Sequence, residues 1–146
     1  MGSDHAKIEP MKVFISYAHA DREVVKSIAA TLSKAKHDVW VDYERLVPGD
    51  NWAEKVATGL KQSDAIVTVI SPSSMKSRFV RADIDYALTT PKLEGRLIPV
   101  LVKPTKDFPW ILEDLNLIDA TRRPDKAGEQ ILATLKSPRV VGAPHA

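Results

Sequence analysis

The sequence predicts an α/β domain in which a parallel sheet of five strands lies between helical layers. Three observations predict it. Short apolar runs alternate with segments of helical periodicity, a pattern that calls for parallel pairing and right-handed crossovers. The strongest run, Ala65-Ile66-Val67-Thr68-Val69-Ile70, is nearly continuous in apolar residues, as in a strand buried on both faces. The 146 residues, 44% apolar and 27% charged, suffice for one core and fall short of two ordinary ones.

Taken in order, residues 1–10 are polar, lack periodicity and end in Pro10; they read as a tag or disordered leader, with Met11 available as a natural start. Val13-Phe14-Ile15-Ser16 is a short buried strand. Asp21 is placed to cap a helix in which Val25, Ile28, Ala29 and Leu32 recur at i, i+3, i+4 and i+7. Val39-Trp40-Val41-Asp42 is the second strand, and Pro48-Gly49-Asp50 marks a turn in the segment from Tyr43 to Asn51. A helix from Trp52 puts Trp52, Val56 and Leu60 on one face. The run from Ala65 to Ile70 ends at Ser71-Pro72-Ser73-Ser74, and the next helix covers about Arg78 to Thr89. Leu97 to Val102 is a fourth strand whose Pro99 suits a place near an edge or a bulge. Leu117 to Ala120 is a short fifth, and Pro124 opens a last helix with Ala127, Ile131 and Leu135 on one side. The domain is thus expected over residues 11–137, with 138–146 a loose tail. The expected topology is a flavodoxin-like three-layer sandwich of strand order 2-1-3-4-5. In that order, ligands sit beyond the carboxyl ends of strands one and three, where their helices leave on opposite faces. The crevice is expected to be lined by Ser16 and Tyr17, by Ser71 to Ser74 and by the start of the following helix.

Composition excludes several functions. With 21 Lys and Arg against 19 Asp and Glu, the net charge of +2 gives no argument for nucleic acid or a membrane surface. No apolar stretch approaches the roughly 20 residues of a span, and no signal-peptide core exists. Without Cys there is neither a disulfide nor a thiolate metal site, which fits a reducing, cytoplasmic location. GxGxxG, GxxxxGK[ST] and GxSxG are all absent. A phospho-accepting receiver is excluded by Ser71 at the end of the third strand and by Ser-Tyr-Ala-His after the first. His5 and His145 lie near the termini, and His19 and His37 have no partner at ligand spacing, so no metal site is expected and His19 reads as a solvated loop residue.

One constellation remains. From Arg78 to Leu88, Val80, Ile84, Ala87 and Leu88 make a core stripe, while Phe79, Asp83 and Tyr86 fall at i, i+4 and i+7 on a neighbouring face. A carboxylate flanked by aromatic rings near a helix start can stack a flat ring and stabilise developing positive charge. The plainer reading pairs Asp83 with Arg78 or Arg81 and uses Phe79 and Tyr86 to widen the core stripe.

From Met11 to Lys136 the chain resembles the TIR (Toll/interleukin-1 receptor) domain family. The likeness rests on Val13-Phe14-Ile15-Ser16-Tyr17, on Asp42 with Leu46-Val47-Pro48-Gly49 and Trp52, and on Ser77 to Leu88, which match its opening strand, BB loop and helix C. The loop Glu44-Arg45-Leu46-Val47-Pro48-Gly49-Asp50-Asn51-Trp52 is closest to the prokaryotic, NAD-cleaving branch. That resemblance implies one of two functions. Some members break the nicotinamide–ribose bond of NAD+ as hydrolases or cyclases; others are catalytically silent interaction modules. In the enzymes an essential glutamate on helix C follows a tryptophan by four residues, and these positions are Asp83 and Phe79 here. Aspartate keeps the charge but sets it back by roughly 1.5 Å, one C–C bond. By the same resemblance, Tyr17 and Ala18 border the substrate unless Tyr17 is an ordinary loop residue, Arg45 either stays solvated or meets a phosphate, Trp52 either lies near nicotinamide or packs its loop against the core, and Ser71 either bonds the ligand or caps a helix. NAD+ is then a substrate, no cofactor is required, and a homo-oligomer assembled through the BB loop is the expected partner, in prokaryotic signalling or defence.

Overall fold

In the computed structural model of the chain, residues 9–41 and 52–137 are described, the side chains of Trp52 and Ala53 excepted. The strands are β1 (Lys12–Ser16), β2 (Asp38–Trp40), β3 (Ala65–Ile70), β4 (Leu97–Leu101) and β5 (Ile118–Asp119). The helices are α1 (Arg22–Lys34), α2 (Trp52–Gln62), the single turn α3 (Pro72–Met75), α4 (Arg78–Thr89) and α5 (Ala127–Lys136). The sheet runs β2-β1-β3-β4-β5 and every pairing is parallel. The 2-1-3-4-5 order expected from the alternation of elements is the one observed.

Alternation of side chains along β1 and β3 splits the core in two. Val13 and Ile15 of β1, with Ala65, Val67 and Val69 of β3, face α1 and α5. Phe14, Ile66 and Ile70 face α2 and α4. Val25, Ile28, Ala29 and Leu32 of α1 are all buried, as their spacing requires, and so are Ala127, Ile131 and Leu135 of α5. Because α1 follows β1 on one face and α4 precedes β4 on the other, a crevice opens beside the end of β1, at the switch in strand order.

Three local expectations are corrected. Asp21 does not cap α1: a 3-10 turn, His19–Asp21, leads into the helix, and the Asp21 side chain makes no cap hydrogen bond. Leu88 is 40% exposed, so the inward stripe of α4 is Val80, Ile84 and Ala87. Ser71 takes one of its two expected roles, since with Ser74 it forms a reciprocal capping box that starts α3. Pro124 opens a 3-10 turn, Pro124–Lys126, and α5 begins at Ala127. Pro99 lies in β4, one strand in from the edge. Val102 donates its N–H to Ile70 on the β3 side, so Pro99, three residues earlier, faces the β5 side. β5 pairs only with Val100 and Leu101, so the missing proline donor costs no ladder bond.

Candidate functional site

Beside the carboxyl end of β1 lies a cavity of about 320 Å³. β1 and the segment after it supply Ser16, Tyr17, Ala18 and His19; α2 supplies Val56; Ser77, Phe79, Val80 and Asp83 come from the α4 side. Local sequence places each group. Ser77 accepts a hydrogen bond from the Val80 N–H at 3.3 Å and so fixes the start of α4. Val80 and Ile84 anchor the helix in the core, which turns Phe79 and Asp83 toward the hollow. Phe79 is 50% exposed, and the Arg78 guanidinium stands 5.3 Å above its ring.

Asp83 is half-buried, and Ser16, itself buried, donates its hydroxyl to Asp83 Oδ2 at 2.7 Å. A hydrogen bond to a carboxylate is short and strong compared with one between neutral groups, so Ser16 fixes the direction of this charge. Sequence reasoning put Ser16 in the crevice and Asp83 on the helix; their bond, across 67 residues, had no signal in the chain.

Of the residues singled out from the sequence, Asp83, Phe79, Tyr17 and Ala18 come together around the cavity. Ser71 does not join them. It is fully buried, caps α3 and donates to Asp21 Oδ2 at 2.5 Å. Asp21 Oδ1 is 3.7 Å from Lys103 Nζ beyond the end of β4. Ser71 therefore ties the end of β3 to the segment after β1 and, through Asp21, to Lys103 after β4, and Ser71 to Ser74 do not line the hollow. Arg45 lies outside the described residues, and so does the Trp52 side chain, although Trp52 does open α2. His19, expected in solvent, is exposed yet contributes to the cavity wall. Arg81 bonds the Met75 carbonyl at 3.1 Å, and Arg78 covers Phe79. Among the described residues no group of three or more His, Asp or Glu is arranged to hold a metal ion.

A confined carboxylate beside an exposed aromatic face can hold a flat, electron-poor ring and oppose a positive charge developing on an adjoining sugar. The family model described as "TIR domain" matches residues 13–135. A 2′ cyclic ADP-D-ribose synthase, BtTIR of Bacteroides thetaiotaomicron, is 30% identical over 105 residues, covering 68% of this chain and 36% of the relative. The synthase AbTIR of Acinetobacter baumannii is 31% identical over 98 residues, covering 65% of this chain and 36% of the relative. The match therefore spans little more than a third of those relatives' length. Among solved structures, the TIR domain of the Toll-related receptor TRR-2 from Hydra magnipapillata has a TM-score of 0.71 at 22% identity, covering 86% of this chain and 98% of that one. At that identity the likeness concerns the fold.

Proposed function

This chain belongs to the TIR domain family, and from that premise we propose that it cleaves the nicotinamide–ribose bond of NAD+. The observation that carries the reading is the Asp83 carboxylate, held by Ser16 in a cavity that Phe79 also lines. The names of the two bacterial synthases support the same substrate class.

The chemistry asks little of the protein besides charge and position. As the glycosidic C–N bond breaks, its electron pair goes to the pyridinium nitrogen and nicotinamide leaves neutral, without a proton from an acid. The ribosyl group becomes oxocarbenium-like, and a carboxylate facing it lowers the barrier. Asp83 takes that role. Phe79 and Trp52 contact the base, Tyr17 and Ala18 border the ribose, and Arg45 meets the pyrophosphate. Water, or a hydroxyl of the substrate itself, then attacks the anomeric carbon and loses a proton, giving linear or cyclic ADP-ribose. Self-association involving the BB loop completes the site, in prokaryotic signalling or defence.

A second reading is favoured by one observation, the aspartate at position 83 where the enzymes of the resemblance carry glutamate. A displacement of about 1 Å can cost around 10²-fold in rate, which would leave an interaction module that holds a nucleotide without turning it over. The test is incubation of concentrated protein with NAD+ while following nicotinamide release. The chain should release nicotinamide slowly, Asp83→Glu up to about 10²-fold faster, and Asp83→Ala not at all. Equal rates in all three would remove Asp83 from the mechanism, and NAD+ binding without release would establish the silent module.

A further inference from the structure

A second hollow shares no lining residue with the Asp83 cavity and is more than twice as large, about 710 Å³ against 320 Å³. α3 and α4 form one wall, through Met75, Lys76 and Arg81; the segment after β4, residues 104–110, forms the other. Trp110 stands at the end of that segment with 72% of its surface exposed, and no large apolar side chain among the described residues is more exposed. A solvated indole beside a hollow is an unused stacking face.

The charge around it is one-sided. Arg81 is held at the wall by its hydrogen bond to the Met75 carbonyl, which uses one of five guanidinium donors. Lys76 and Lys106 make no ion pair among the described residues, and Asp107 is the single carboxylate of the lining. The wall is also unsuited to an extended peptide. Pro72, Pro104 and Pro109 carry no N–H with which to bond a peptide backbone. What the hollow offers is two aromatic rings, Phe108 and the exposed Trp110, with three cations and three prolines.

We propose that this hollow is a nucleotide-binding site distinct from the Asp83 cavity. The base stacks on Trp110, and the phosphate is held by Arg81, Lys76 and Lys106. Arg81 and Asp83 stand two residues apart on α4, so the two sites share a helix. The proposal does not depend on turnover of NAD+.

The test is titration of the whole ¹⁵N-labelled chain with AMP, with adenosine and inorganic phosphate as separate probes. AMP should shift the Trp110 indole resonance and those of residues 104–110 saturably, and each half-ligand should bind at least about tenfold more weakly. Trp110→Ala and Lys106→Glu, both at exposed positions, should each weaken AMP about tenfold, while Asp83→Ala keeps the AMP response at Trp110. The proposal is overturned if millimolar AMP leaves residues 104–110 unmoved or shifts only Ser16 to His19 and the neighbours of Asp83. Phosphate alone matching AMP would also overturn it, by removing the stacking, and so would saturation by an acidic peptide without a response to AMP.

Discussion

Ser16 and Ser71 both stand at the carboxyl ends of central strands, yet their hydroxyls serve different ends. Ser16 Oγ turns to Asp83 in the cavity, whereas Ser71 Oγ turns inward to Asp21. The pattern of residues makes the two positions look alike; the packing around them does not. Asp21 is buried, with one oxygen on Ser71 and the other toward Lys103, so its worth is structural. Hydrogen bonds to charged groups contribute about 1.5–3 kcal/mol. Asp21→Ala is therefore expected to lower stability by about 2 kcal/mol in urea unfolding, and Lys103→Ala, which removes only a half-exposed and longer contact, by under 1 kcal/mol. If Asp21→Ala unfolds at the wild-type midpoint, the tie between the strand ends carries no weight. The residues of the candidate site were legible to different degrees. Asp83 and Phe79 could be read from their i, i+4 spacing next to a helix start. The Ser16 partner could not, because a pair 67 residues apart leaves no local trace.

The helix α4 serves three environments at once. Val80, Ile84 and Ala87 face the core, Phe79 and Asp83 line the smaller cavity, and Arg81 borders the larger one. Periodicity gave the first face and suggested the second. It was silent on the third, since an exposed arginine on a helix carries no sign of what lies opposite, here the segment after β4. Leu88 was misassigned for a related reason: it lies at the edge of the apolar arc near the helix end, where the core no longer reaches it. On the same face of the sheet, α2 is locked by Gly59. The Trp40 indole stacks on Phe14 at 4.9 Å and 11°, and a Cβ at position 59 would lie 2.8 Å from it. For a Cβ to fit there the indole must give way. Gly59→Ala should thus be destabilising by about 1–3 kcal/mol through overpacking, against the usual gain of alanine in a helix. A raised melting temperature in that variant would show that the indole yields. Because α2 also supplies Val56 to the cavity, NAD+ affinity at the proposed site should fall along with stability.

At the scale of the molecule, the amino end of the sheet carries a pH-sensitive joint. His37 is buried, its Nδ1 accepts the Met11 N–H at 3.1 Å, and burial holds its pKa below the ordinary value of about 6.5. The unfolded chain then binds more protons than the folded one between those two values, so stability rises with pH across that window. The contribution is full above about pH 6.5 and is lost as pH falls through the lowered folded value. Urea midpoints measured at pH 7.5 and 5.5 should differ in that direction, and His37→Phe should shrink the difference; an unchanged pH dependence would exclude His37 as its source. The sequence by itself determined the α/β class, the parallel order 2-1-3-4-5 and the faces of α1 and α5, because hydrophobic burial is written into local periodicity and strand alternation. Only the tertiary structure decided that Asp83 is held by Ser16, that Ser71 belongs to a buried tie, and that Trp110 and Arg81 line one hollow. Those pairings are made by hydrogen bonds and shape between segments far apart in the chain. Their energies depend on distances that no run of neighbouring residues encodes.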